Sequence, residues 1–273
     1  MIDAHVHFWN FDANRDNWIT EEMSVIRNDF SPKNLIRTYN ELKITGCIAV
    51  QANQSEAENN FLLTLAEQNE IIKGIVGWVD LKNPKLDERL KHWNSFKKIK
   101  GFRHVLQAEN AEFFLSDDFI HGVKKLNNYN FTYDLLCYHN QLADIIKLID
   151  KLDDQPLVLD HCGKPDIKSG NVKKWKENVK ILAQNPNVSC KISGLLVEAD
   201  WKNWKEAELF ECFDTIIESF GTDRVMYGSD WPVVLVSKPY ANWFQLVEAY
   251  ASRLTFQEKE NLFLKNATRF YKL

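Results

Sequence analysis

The chain has 273 residues, 45% of them hydrophobic and 26% charged, with a formal net charge of -4. That balance is ordinary for a soluble globular protein and gives no reason to expect nucleic acid as a partner. No run approaches the roughly 18 apolar residues of a membrane span, and the start lacks the basic stretch and apolar block of a secretory leader, so no membrane association is expected.

In chain order, the first candidate strand is IDAHVH at 2–7. Side chains two apart share a face in extended structure, so Asp3, His5 and His7 are expected to point the same way. The segment from Trp9 to Phe30 is too long for a simple connection, which marks it as a functional loop; Trp9, Arg15 and Trp18 are its candidates for a pocket wall. SPKNLIRTYNEL at 31–42 has Ser31 to cap a helix and Pro32 for its first turn.

Seven further apolar, β-branched runs follow at 46–52, 72–80, 99–106, 131–138, 156–163, 188–195 and 224–231. Helical spacing fills the intervals, as in 140–152, where Leu142, Ile145, Ile146 and Ile149 form one stripe. After the second strand the spacing is roughly 25 to 37 residues, the length of a strand plus a crossover helix. Eight such units with no Pro/Gly/Ser-rich linker predict a single-domain α/β protein, a (β/α)8 TIM barrel spanning 1–273. A doubly wound sheet is the alternative, but neither G-x-G-x-x-G nor G-x-x-x-x-G-K-[ST] occurs.

In such a barrel, chemistry gathers at the C-terminal ends of the strands. Here those ends carry His5 and His7; Gln51 and Asn53; Trp78 and Asp80; Arg103, His104 and Gln107; Asp160 and His161; Lys191 and Ser193; Ser229 and Asp230. Clustering of this kind predicts hydrolytic or metal chemistry at one barrel mouth.

The motifs HVH, GFRHVLQ, LDHCGKP and YGSDWP, in this order, resemble the amidohydrolase superfamily. More narrowly, they are similar to its amidohydrolase-related branch of sugar-acid lactonases, which includes L-fuconolactonases, L-rhamnonolactonases and 2-pyrone-4,6-dicarboxylate lactonases. The resemblance runs from Ile2 to about Tyr271. It implies that His5 and His7 are the strand-one pair, His161 the strand-six histidine and Asp230 the aspartate that activates water, with Arg103 and His104 contacting substrate oxygens. No bridging lysine or glutamate is apparent. Tyr138 ends strand five in phase with Asp134, while His139 has the opposite parity; both departures argue against a binuclear centre.

The expected reaction is opening of the ester ring of a sugar-acid lactone, L-fucono- or L-rhamnono-lactone-like, to the aldonic acid. Asp230 would serve as base and then acid, with burial raising its pKa. His5, His7, His161 and Asp230 are expected to hold one divalent cation, zinc, ahead of a metal-free arrangement in which imidazoles donate to the carbonyl. Arg103 offers a planar fork to substrate oxygens. His104, Gln107, Trp9, Trp18, Trp78, Tyr138, Lys191 and Trp231 complete the expected substrate contacts. A metal-dependent decarboxylase of the same superfamily is the alternative, and a non-catalytic sugar-binding barrel is disfavoured by the intact His/Asp set.

Five cysteines, with no Cys-x-x-Cys pair, fit reduced thiols in a cytoplasmic protein; Cys162 beside His161 has no partnered base and is not expected to be a nucleophile. Trp201 and Trp204, His92 and His121 are expected to be structural, and Lys173, Lys174 and Lys176 a solvated helix face. A homo-oligomer is neither required nor excluded.

Overall fold

The computed structural model describes all 273 residues. Eight strands, Ile2–Val6 (β1), Gly46–Val50 (β2), Ile72–Gly77 (β3), Ile99–Val105 (β4), Thr132–Leu136 (β5), Leu157–Leu159 (β6), Val188–Ile192 (β7) and Val225–Tyr227 (β8), form one parallel sheet in chain order. Val6 bridges Trp231, and the Asp230 N–H donates to the His5 carbonyl at 2.9 Å, which joins β1 to the end of β8. Each strand is followed by a principal helix: Pro32–Leu42 (α1), Glu56–Gln68 (α2), Leu86–Trp93 (α3), Asp117–Asn127 (α4), Leu142–Ile149 (α5), Lys173–Leu182 (α6), Glu206–Phe220 (α7) and Tyr240–Ala251 (α8). This is the expected (β/α)8 barrel.

Local chemistry explains the elements. Before α1, Ser31 is extended and its N–H donates to Asn34 Oδ1 at 2.9 Å; Pro32 opens the helix, where a missing N–H is harmless. Helix α5 buries Leu142, Ile145, Leu148 and Ile149, so Leu148 takes the place in the stripe expected of Ile146, which is only half-buried. No helix is long and apolar enough to cross a membrane.

Two apolar layers result from the period-2 alternation of the strands. Inside the barrel lie Ile2, Ala4, Ile48, Val50, Val76, Val158 and Met226, joined by Ala267 and Tyr271 from the C-terminal segment. Between strands and helices lies the larger layer of 67 buried residues, including Cys47, Ala49, Ile75, Leu157 and Tyr227.

Strand β1 breaks its own alternation. Its pairing with β2 runs Asp3↔Cys47 and then Val6↔Ala49, three steps against two, which is a bulge. Ile2 and Ala4 face the interior, whereas Asp3 faces the helices, where it accepts from Tyr39 at 3.1 Å and Tyr240 at 2.8 Å. The expectation that Asp3 shares a face with His5 and His7 is therefore corrected: the inserted residue returns His5 to the interior beside Ala4's phase.

The 9–30 connection is pinned at its neck, where Trp9 and Phe30 exchange backbone hydrogen bonds at 3.0 and 2.8 Å. Trp9, Ile19, Met23, Ile26 and Val233 form its own small core.

Candidate active site

His7, His161 and Asp230 lie just beyond the ends of β1, β6 and β8, whereas His5 is still within β1. After β6 the chain makes a tight turn over Asp160–Gly163, with His161 at φ 53°, Cys162 at 55° and Lys164 at 50°. Asp230, beyond β8, lies at φ 58°. These left-handed conformations cost energy in non-glycine residues and are found where structure is held for function. Gly194 shows one reason for the fit: a Cβ there would lie 2.7 Å from His161 Cγ.

Three imidazoles converge on one carboxylate. Asp230 Oδ1 lies 3.4 Å from His7 Nε2 and 3.8 Å from both His5 Nε2 and His161 Nε2, and the His5 and His7 Nε2 atoms are 3.2 Å apart. His7 Nδ1 is 2.8 Å from the Val50 carbonyl, which can only accept, so in the neutral ring Nε2 carries the lone pair. His161 Nδ1 pairs with Ser193 Oγ at 2.8 Å. Burial holds the His5 and His161 rings well below the ordinary histidine pKa, so they are neutral at pH 7.

Burial alone would raise the Asp230 carboxyl, but His161, His7 and Lys164 outweigh it and hold it below the usual value. The expected upward shift is thus corrected: opposing neighbours, not desolvation, decide its sign.

This donor set fits a single divalent cation. Ligand atoms of His5, His161 and Asp230 lie within 4.8 Å of one another, and His7 presents its lone pair to the same point. A tetrahedral zinc site with bonds of 2.0 to 2.1 Å has edges of roughly 3.3 Å; the His5–His7 and His7–Asp230 spacings of 3.2 and 3.4 Å match that, and the 3.8 Å from Asp230 to His5 and His161 is wider. A second ion has no comparable ligands: strand four supplies Arg103, and His139 Nδ1 donates to the Lys164 carbonyl at 3.1 Å in the next turn.

Beneath the imidazoles lies a buried charge network. Arg103 Nη1 meets Asp160 Oδ2 at 3.1 Å and Nη2 donates to the Gln51 carbonyl at 2.6 Å. Lys191 Nζ reaches Asp134 at 2.6 Å and Asp160 at 3.0 Å. Two cations and two anions balance, as burial requires.

Above the site opens a cavity of about 510 Å³, lined by His7, His161, Asp230 and Arg103 together with Arg15, Trp18, Asn53, Gln107, Tyr138 and Lys164. Trp18 and Tyr138 are exposed at its rim, and Gln107 donates to the Tyr138 hydroxyl at 3.2 Å.

Five expected substrate contacts lie elsewhere. His104 alternates with Arg103 and so faces away from the barrel interior, stacked on Phe113 and bonded to Glu109 at 3.0 Å. Trp78 donates to His104 at 3.4 Å, off the cavity wall. Trp9 is 2% exposed and anchors Trp18 edge-on at 5.9 Å. Trp231 packs on Phe8 and Phe30. Lys191 is fully buried below His5, because strand-seven alternation turns it inward at a level beneath the mouth. The sequence reading missed Lys164, held at 2.7 Å by Glu198, and Asp134. A lone carboxylate in the apolar run FTYDLLCY was the available signal for Asp134.

A family model for amidohydrolases matches residues 2–273, and the chain belongs to that family. A curated L-fucono-1,5-lactonase from Burkholderia multivorans is 38% identical, covering 100% of this chain and 96% of the relative. Another from Burkholderia ambifaria is 27% identical, covering 100% and 95%. The crystal structure of an amidohydrolase from Burkholderia multivorans with bound zinc superimposes with a TM-score of 0.96 at 38% identity, covering 100% of this chain and 99% of the other.

Proposed function

We propose that this chain opens a neutral sugar-acid lactone of the L-fucono-1,5-lactone type to the aldonic acid, with water activated by Asp230. It is a lactonase, a carboxylic ester hydrolase of the amidohydrolase family. The observation that carries the substrate class is the charge pattern of the cavity. Arg15 is paired with Asp16 at 2.7 Å, Arg103 with Asp160 at 3.1 Å and Lys164 with Glu198 at 2.7 Å. Only Asp230 faces the cavity without a cation at hydrogen-bond distance, so the side chains of the pocket offer no unpaired cation to the two carboxylates of a dianion such as pyrone dicarboxylate. A neutral polyol ring suits it, with Trp18 and Tyr138 at the rim to cover apolar ring faces and Gln107 to read hydroxyls.

Asp230, ionised at neutral pH, takes a proton from water as the oxygen attacks the lactone carbonyl, and returns it to the ring oxygen as the C–O bond breaks. Arg103 lines the cavity and supports the charge that develops on the carbonyl oxygen. A zinc ion held by His5, His7, His161 and Asp230 supplies Lewis acidity when bound.

A proton-release screen over L-fucono-, L-rhamnono-, D-arabino- and L-galactono-lactones, with pyrone dicarboxylate as the anionic outlier and with and without chelator, tests this. A kcat/KM for an aldonolactone at least about 100-fold above that for the dicarboxylate is expected, the equivalent of roughly 2.7 kcal/mol. Preference for the dicarboxylate, or carbon dioxide release from an aromatic acid with no lactone opened, would overturn it.

A further inference from the structure

The end of the barrel opposite the catalytic mouth carries charge of one sign. Lys73 in β3, Lys98 and Lys100 at the start of β4, and Lys97 and Lys272 cluster there. None of the five makes an ion pair; the lysine ion pairs of the protein all lie elsewhere. In a chain of net charge -4 this is a local excess, and a carboxylate at the end of Leu273 would offset only one of the five.

The protons of this group go to uncharged oxygens. Lys98 Nζ donates to the Ile72 carbonyl at 2.6 Å, Lys100 Nζ to the Lys272 carbonyl at 2.9 Å and Lys272 Nζ to Asn130 Oδ1 at 3.3 Å. An ammonium has three protons, so two on each remain for water or a ligand. The lysines also repel one another. Burial, then Lys98 and Lys272, hold the Lys100 ammonium below the ordinary lysine pKa, and no carboxylate counters them. Burial and Lys73 do the same to Lys98, with Glu70 a weaker pull the other way.

A cleft of about 340 Å³ opens among them, between the starts of β4 and β5 and the C-terminal segment. Lys97, Lys100 and Lys272 line it with Phe96, Tyr129 and Phe270, and no acidic side chain reaches it. The catalytic cavity is the reverse case, since its Arg15, Arg103 and Lys164 are each already paired with a carboxylate. An anion therefore finds unspent positive charge at this end of the barrel and none at the other.

We propose that this cleft is a second binding site, for a small phosphate monoester whose ring lies against Phe96, Tyr129 and Phe270 while its head meets Lys97, Lys100 and Lys272. A phosphate monoester carries roughly -1.5 to -2 at pH 7, which answers several cations at once where a carboxylate answers one. Compact ammonium groups suit it as point charges.

The test is calorimetric titration of the full-length protein, as purified and after chelation, with phenyl phosphate as the probe. No lactone is used, so the outcome is separate from that of the lactonase reading. Saturable binding with a Kd below about 1 mM is expected, unchanged by chelation. Inorganic phosphate, which lacks the ring, and benzoate, which has one charge, should each bind at least about threefold more weakly. Lys97→Met with Lys272→Met, both at exposed positions, should weaken phenyl phosphate by about tenfold or more, and Phe270→Ala by about threefold. A Kd above about 1 mM, affinity that survives the paired lysine variant, or binding that disappears on chelation and so belongs to the His/Asp set, would overturn the proposal. Benzoate or inorganic phosphate binding as tightly as phenyl phosphate would overturn it equally, by removing the need for the dianion or the ring. If the paired variant does not fold by circular dichroism, the single Lys97→Met and Lys272→Met variants decide.

Discussion

The lower and upper levels of the barrel interior are equally shielded from water and built from opposite chemistry. Below, Ile2, Ala4, Ile48, Val50, Val76, Val158 and Met226 pack against Ala267 and Tyr271. Above, His5, Asp134, Asp160 and Lys191 show no exposed surface and Arg103 only 4%. The difference teaches what each level is for. Aliphatic groups gain from burial wherever they fit, whereas buried charges hold only in complete sets and add little net stability. The lower level carries stability, and the upper level uses part of it to keep polar groups in fixed positions.

Five measurements can break or sharpen that contrast. Asp230→Asn should lower kcat by roughly 10²- to 10⁴-fold, the scale of general acid–base catalysis, with lactone binding by calorimetry nearly retained; unchanged turnover would remove Asp230 from its role. Arg103→Met strips Asp160 of its guanidinium and should cost about 3–5 kcal/mol in a denaturant titration, because the surviving carboxylate stays buried. Met226→Ala, in the lower level, should cost about 2–5 kcal/mol through a cavity and leave kcat/KM unaltered. Loss of activity at constant stability there would erase the division between levels.

A smaller effect separates the levels by pH. Burial pushes the Asp134 carboxyl up to about 6, although Lys191 pulls it the other way. A folded value above the unfolded one of about 3.9 favours the folded state below that pH, and the contribution is lost as pH rises through about 6. Melting temperatures between pH 4 and 7 should therefore show the wild type losing ground to Asp134→Asn as pH increases; parallel curves would contradict this. Smallest of all, Trp18→Ala at the rim should raise KM by about two- to tenfold, the value of one aromatic contact, with little change in kcat.

Much of the barrel was legible because each strand is a run of apolar residues separated by helix-spaced segments, a pattern imposed by burial on both faces. All eight runs became strands, but those around Asp160 and Asp230 stop early. Left-handed φ values at His161, Cys162 and Asp230 end them, and nothing in residue type announces such angles outside glycine. Parity separates Arg103 from His104 and was readable; strict alternation excludes that both line one wall. The position of Lys191 was harder, since facing inward does not say at which height along the barrel a side chain ends. Lys164 depends on the turn that follows His161, and its partner Glu198 is 34 residues away in the chain.

The bulge in β1 has a consequence for which kinds of mutation the site tolerates. It sets height rather than facing: deleting Ala4 would restore regular alternation with His5 still directed inward, yet draw the pair of imidazoles about 3.3 Å down the barrel, one strand residue, away from Asp230. A change of side chain at position 4 alters packing, but a change of length there misaligns every ligand on the strand. In this segment, spacing is inherited as strictly as residue identity.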